Sequence, residues 1–314
     1  MVYFVFDMDE TLGNLYSVHY FLCDLRRETM LDDMEPPSDG LKSVLDAAYQ
    51  LFVTKVATKE AKPERLGVLR PGIFHIMRLL SEGKKTGAIK GVVIYSNNAS
   101  LGALHFIRDV IHAYIGNSDL ICDCIHWGHE AREYERGASQ GSAKKTWSVL
   151  KSVLLDGPCK ASETLDTKDV YFIDDQLHPD LKRSLPMHHY IQVRPYDYKA
   201  PFETLAQYYK ESLEEAGLFE DPESLEEYFA YVNEGCLKKE VNTIDAVLTR
   251  YKGATRTVPV GTPIPVPDMF IARIIQLIHG IKRGGGSKLR TNHKKRQQSR
   301  RRNHGSRHTR KAFR

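Results

Sequence analysis

Residues 2–12 read Val-Tyr-Phe-Val-Phe-Asp7-Met-Asp9-Glu10-Thr11-Leu12, an apolar run with β character that stops abruptly at two carboxylates two positions apart. A short run that is apolar on both pleat faces needs cover on both sides, as a parallel strand in an α/β sheet has. Ligands of such sheets sit beyond the carboxyl ends of the strands, so Asp7 and Asp9 fall at a site mouth. Side chains at i and i+2 share a face of a regular strand, but a turn after the strand can aim them apart. Two acids so placed can divide labour, one attacking and the other handling protons.

Beyond this strand, further β-runs at 91–95, 119–127, 169–173 and 190–193 alternate with helical periodicity at 101–114, 145–155 and 202–215. A helix after Pro71, which stands at a first-turn position, would turn Ile73, Ile76, Met77 and Leu80 to the sheet. The alternation predicts an α/β fold with a doubly wound parallel sheet. Between the first two strands lies an insert, about 14–60, with helices near 18–27 and 41–58 on either side of an acidic loop at 32–37. It is expected either to form a small cap over the site or to pack on the core. A core spanning 1–215 is then followed by a helical extension at 216–281. That extension holds a helical stretch at 222–251, a connector at 258–267 whose four prolines forbid a helix, and a last helix at 269–281.

Charge is distributed unevenly. Residues 282–314 carry 14 of the 45 Lys and Arg and no acid, which leaves 31 basic against 40 acidic residues in the rest, a net of −9. With few apolar residues, this segment cannot offset its ordering entropy by burial, so a disordered basic tail is expected. Such a tail attracts nucleic acid or another polyanion by counterion release, and it also suits nuclear import. Five cysteines at 23, 122, 124, 159 and 236 do not suggest a disulfide framework, and a reducing compartment is expected. Neither a signal-peptide pattern nor a run of roughly 20 apolar residues is present. The expectation is an intracellular protein of cytoplasm or nucleus, or one carried in a virion.

The motifs carry a resemblance. Asp7-Met-Asp9-Glu10-Thr11-Leu12 resembles the first motif of the haloacid dehalogenase (HAD) superfamily, in the form found in phosphatases that act on the C-terminal domain of RNA polymerase II. Leu69-Arg70-Pro71-Gly72 resembles the segment that opens the helix before the second motif. Residues 92–97, ending in Ser96-Asn97, resemble the second motif, and residues 170–175, ending in Asp174-Asp175, the fourth. The resemblance covers roughly 1–210 and implies a HAD-like Rossmannoid core. A compact body with a basic, Gly-containing end also resembles proteins of large DNA viruses.

By this resemblance Asp7 is the nucleophile of an aspartyl-phosphate pathway, and Asp9 protonates the leaving oxygen and then deprotonates water. Ser96 and the backbone N–H of Asn97 donate to the phosphoryl group, although Asn97 and Asn98 depart from the branch pattern and could instead cap the next helix. Lys145, with Lys144 as rival, holds the phosphoryl anion, and Thr11 braces the turn. Magnesium is the expected cofactor, held by Asp7, Asp174, the backbone carbonyl of Asp9, and Asp175 directly or through water. The implied activity is hydrolysis of phosphate monoesters, on phosphoserine or phosphothreonine protein. The alternatives are nucleic-acid ends, small esters, or a non-catalytic role in binding nucleic acid or a particle.

Period two would place Cys122, Cys124 and His126 on one face of a strand, with His129 near. The spacing is too tight for the usual four-ligand zinc site, so the cysteines read as small apolar residues of a buried strand. His126, His129, Arg132 and Arg136 read as the lining of a substrate approach, with a solvated surface as the alternative.

Overall fold

The computed structural model describes residues 1–15, 18–25, 37–59, 67–136, 144–198, 200–234, 240–255 and 269–283. The acidic loop at 32–36, the proline-rich connector and the basic tail beyond 283 lie outside the described residues. Five parallel strands run through the centre: β1 (Val2–Phe6), β2 (Ile89–Tyr95), β3 (Ile121–Ile125), β4 (Val170–Asp174) and β5 (Tyr190–Gln192), in the order β3-β2-β1-β4-β5. The chain builds outward from β1 in one direction and then restarts at β4 on its other side. The strand order therefore reverses between β1 and β4, the place where open α/β sheets form their ligand crevice.

Alternation along β1 divides the core. Phe4 and Phe6 enter one apolar layer and Tyr3 and Val5 the other, so both faces are covered. The second layer is closed by α5 (Trp147–Asp156) and α6 (Pro179–Ser184), through Val149, Leu150, Val153, Leu154 and Leu181. The first and larger layer holds α2 (Asp39–Lys59), α3 (Ile73–Lys85), α4 (Leu101–Ile115), α7 (Phe202–Glu215), α8 (Pro222–Val232), α9 (Ile244–Thr255) and α10 (Met269–Lys282). A short α1 (His19–Asp24) also contributes Phe21 and Leu22.

The described part of the insert lies on the flank of the core. Phe52 of α2 stacks on Phe106 of α4 at 5.6 Å and meets Tyr209 of α7 edge-on at 6.4 Å, while Phe21 packs on Tyr209 at 4.9 Å. Tyr49 Oη donates to Asp109 at 2.8 Å, and Lys55 pairs with Glu215 at 2.6 Å. Buried rings supply most of the energy of such a contact, and the exposed ion pair adds little.

Local chemistry sets the element ends and corrects several expectations. The last turn of α4 is closed by Gly116, left-handed at φ +62°, whose N–H donates to His112 O. Gly72, at φ +87°, caps α3, so Pro71 stands before the helix rather than in its first turn. The expected helix at 222–251 is two helices. Asn233 ends the first by pairing its side-chain amide with the backbone of Val241 in both directions, at 2.8 and 2.9 Å.

The cysteines depart furthest from expectation. A register shift between β2 and β3 lets Val92 face Ile121 and Val93 face Asp123, so one extra residue enters β3. The bulge sends Cys122 to the α5 layer and Cys124 to the opposite layer, which removes the common face on which a zinc reading depended. Cys122 then forms a disulfide with Cys159, beyond the end of α5. The pairing was invisible in the spacing, because it depends on the bulge and on α5 returning the chain to β3. It also takes away the cysteine argument for a reducing compartment. The partners are 37 residues apart. Reduction, or replacement of both by serine, is expected to lower stability by about 3–4 kcal/mol, read as a drop in thermal midpoint with and without a dithiol.

A second expectation concerns acid. His112 Nε2 accepts from Ile121 N at 3.2 Å, so that nitrogen must be unprotonated in the fold. Burial, reinforced by Arg108, pulls its pKa from 6.5 down to about 4. The unfolded chain therefore binds the proton more readily between these values, and stability should fall as pH drops from 6.5 towards 4. His112→Gln, which can still accept from Ile121, is expected to flatten that part of the thermal-midpoint profile.

Candidate active site

Asp7 continues the line of β1, its N–H donating to Ile173 O of β4 at 2.8 Å. The chain then leaves the strand. Leu12 N donates to Met8 O and Glu10 N to Gly13 O, and Glu10 takes the left-handed conformation at φ +59°. This turn breaks the shared face of a regular strand. Asp7 stays beside β4, Asp9 is directed to the loop after β2, and Thr11 to the residue after β4.

Two further groups hold the turn. Arg70, 1% exposed, donates to the carbonyls of Thr11 and Arg194, and lies 5.1 Å from the ring of Phe270 on α10. Tyr196 N donates to Glu10 O at 2.6 Å. The α10 contact leaves no room at Gly72, where a Cβ would come within 2.7 Å of Ile271. The Arg-Pro-Gly segment thus supports the turn from below and seats the C-terminal helix.

Lys145 occupies the acid side. It lies just before Thr146, whose hydroxyl accepts from Val149 N and caps α5. The lysine is therefore outside the helix, and its 1% exposed side chain reaches inward to bond Asp7 and, at 2.8 Å, Asp174. Lys144 is exposed. On the other side of Asp174, His178 Nε2 lies at 3.2 Å. Thr11 and Asp175 bond reciprocally: the hydroxyl donates to the carboxylate at 3.1 Å and accepts from the backbone N–H at 3.0 Å.

On the β2 side Asp9 meets uncharged donors. Asn98 Nδ2 donates to Asp9 Oδ2 at 3.0 Å, with Ser96 Oγ on the same oxygen at 3.4 Å. Asn98 Oδ1 accepts from Ser100 N at 2.7 Å, which fixes the amide orientation. Ser100, rather than Asn97 or Asn98, caps α4 by accepting from Ala103 N at 2.9 Å. Asn97 Oδ1 accepts from Arg132 Nη2 at 2.7 Å.

The charges are strongly perturbed. Burial, helped by the neighbouring charge of Asp174, pushes Asp7 up to about 8 against the opposing pull of Lys145. Asp9 is raised by burial, partly offset by Asn98, and Asp175 by burial and then by Asp174. Burial also acts against ionisation of Asp174 and Lys145, but charged and polar partners outweigh it: His178 and Lys145 hold Asp174 lower than usual, and Asp7 and Asp174 hold Lys145 higher.

Asp7, Asp174 and Asp175 each offer an oxygen, and these oxygens lie within 4.8 Å of one another in a buried setting. Hard carboxylate donors in excess over the one lysine suit a metal cation. The Asp9 side chain is outside this trio. Of the residues singled out from sequence, Asp7, Lys145, Asp174, Asp175 and Thr11 converge on one side. Asp9 and Ser96 meet on the other, where Asn97 bonds Arg132, and Lys144 is exposed. Sequence reasoning undervalued Arg132, which is fully buried, and missed His178 and the hold of Asn98 on Asp9. The aromatic residues Tyr95 and Trp127, whose rings receive Arg132, were the available signal.

The chain matches no family model, and no significant match is found among curated proteins or solved structures. What the structure defines is an α/β protein with a parallel five-stranded sheet and a buried acidic centre at the carboxyl ends of β1 and β4. Among the described residues no helix is long and apolar enough to cross a membrane.

If the trio binds a cation, Lys145→Met should reveal it without any assay of turnover. Losing the ammonium leaves buried carboxylates short of a partner and is expected to destabilise the protein by up to about 3–5 kcal/mol in metal-free buffer. Added Mg²⁺ should raise the thermal midpoint more in the variant than in wild type, because the ion replaces the missing charge.

Proposed function

We propose that the protein is a Mg²⁺-dependent phosphatase of HAD type that hydrolyses phosphate monoesters through an aspartyl-phosphate on Asp7. The observation that carries this reading is the meeting of Asp7, Lys145 and Asp174 at the switch point of the sheet, with Asp9 and Ser96 facing each other across the same turn. Phosphate monoesters are slow to react because the nucleophile must approach an anion, so positioning and charge neutralisation supply most of the catalysis.

In this reading the Asp7 carboxylate attacks phosphorus while the bond to the leaving oxygen breaks. Asp9 delivers its proton to that oxygen. Asp9, now ionised, takes a proton from water as the water oxygen attacks the same phosphorus. The bond to Asp7 then breaks and inorganic phosphate leaves. Lys145 holds Asp7 and the phosphoryl anion in line, and Ser96 and the Asn97 N–H donate to phosphoryl oxygens. Asp7, Asp174 and Asp175 would hold Mg²⁺, which neutralises phosphoryl charge when bound.

Phosphoserine or phosphothreonine in protein is the proposed substrate, on the strength of the Asp-x-Asp-Glu-Thr motif at 7–11. The concentration of 14 basic residues in 282–314 favours a second reading, in which nucleic-acid ends are the substrate and the tail holds the polyanion.

The test is phosphate release from an aryl phosphate, a phosphoserine peptide and a 5′-phosphorylated oligonucleotide, with Mg²⁺ or EDTA. Turnover should need Mg²⁺ and should fall by at least about 10³-fold in Asp7→Asn, which keeps size and removes the nucleophile. A folded wild type inert on all three, or an Asp7→Asn variant as active as wild type, would reject the reading. Preference for the oligonucleotide would select the second substrate.

A further inference from the structure

We infer that Arg132 is a positioning residue of the anion-binding loop, orienting the Ser96–Asn97 peptide so that the Asn97 N–H meets a phosphoryl oxygen. The inference rests on the phosphatase reading above and assigns a role to a residue which that chemistry does not itself require.

The geometry is that of a fork on two acceptors. Arg132 Nη1 donates to Ser96 O at 2.5 Å and Nη2 to Asn97 Oδ1 at 2.7 Å. The carbonyl of Ser96 and the N–H of Asn97 belong to one planar peptide, and in a trans peptide they point in opposite directions. Pinning the carbonyl on Arg132 therefore aims the N–H away from Arg132. The second bond fixes the Asn97 side chain on the arginine side as well, so that it does not swing across the N–H.

The arginine is itself fixed. It is 0% exposed, and its guanidinium lies 4.8 Å from the ring centre of Tyr95 and 5.3 Å from that of Trp127. Cation–π attraction to two rings favours the charged plane in a dry setting. Its backbone is set by the 3₁₀ segment Glu130–Arg136, where Arg132 N donates to His129 O at 2.9 Å. Trp127 N donates to Asn98 O at 2.9 Å, so the segment after β3 grips the loop after β2 at a second point. Only arginine suits this place, because an ammonium is a single point charge and cannot match two acceptors in a planar fork.

The test uses full-length protein with Mg²⁺ and an aryl phosphate, comparing wild type, Arg132→Lys and Arg132→Ala. Thermal midpoints report whether each variant folds, and Arg132→Lys keeps a charge between the rings. A misplaced donor is expected to lower kcat by roughly 10²-fold, more than it raises KM. Methylguanidinium should restore kcat to Arg132→Ala and methylammonium should not, which a merely structural role would not produce. Folded variants that keep the wild-type kcat would overturn the inference, as would a loss that follows the folded fraction and resists rescue. Wild type that neither turns over the ester nor binds inorganic phosphate would instead overturn the phosphatase reading, and this inference with it.

Discussion

The buried ammonium of Lys145, shared by Asp7 and Asp174, is the interaction on which the rest of the site depends. Carboxylates this close repel one another in a medium that screens poorly, and the lysine is what allows them to be gathered. Its place imposes local demands. Thr146 must cap α5 directly after it, so that the lysine leaves the helix and reaches inward. Trp147 N is held by Asp180 of α6 at 3.1 Å, which ties the start of α5 to the helix that follows β4. The order β1-β4 in the sheet then brings Asp7 and Asp174 to opposite sides of one ammonium.

The turn at 8–13 separates two acids that are close in sequence. Had the strand continued, Asp7 and Asp9 would have shared one face and one environment. The left-handed Glu10 sends Asp9 to the β2 loop instead, where Asn98 and Ser96 receive it, while Asp7 remains with Lys145. One acid thereby sits among charges and the other among neutral donors. The division between nucleophile and proton carrier that the proposed chemistry asks for needs such a difference in surroundings, since two carboxylates in the same setting would compete for the same role.

Much of the fold was legible because its signals are local. Apolar strand runs and the periodicity of 101–114 and 202–215 gave elements close to those observed, since burial on both sheet faces and on one helix face leaves a direct trace in the sequence. Asp7, Asp174 and Asp175 stand at strand ends and Lys145 just before a helix, places that local pattern marks in the sequence. What stayed hidden depends on contacts between distant segments. The disulfide needs a bulge at Cys122 and the return of α5, neither of which spacing records. Arg132 reads as a surface residue until β2 and β3 bring Tyr95 and Trp127 around it. Asn98 resembles a helix cap until Ser100 is seen to fill that role and the amide to hold Asp9.

The connection from β3 to α5 joins these parts. It supplies Arg132 to the loop after β2 and Lys145 to the acids, and the Cys122–Cys159 disulfide closes the chain around both. A crosslink acts chiefly by limiting the conformations open to the chain it encloses. Here the enclosed chain carries the two cations that organise the site, so the covalent closure and the two buried charges restrain the same segment. Through Arg132 and Lys145, this stretch of chain thus bonds both the loop after β2 and the acids at the ends of β1 and β4. Opening the disulfide would loosen the chain that carries both contacts, and so both sides together.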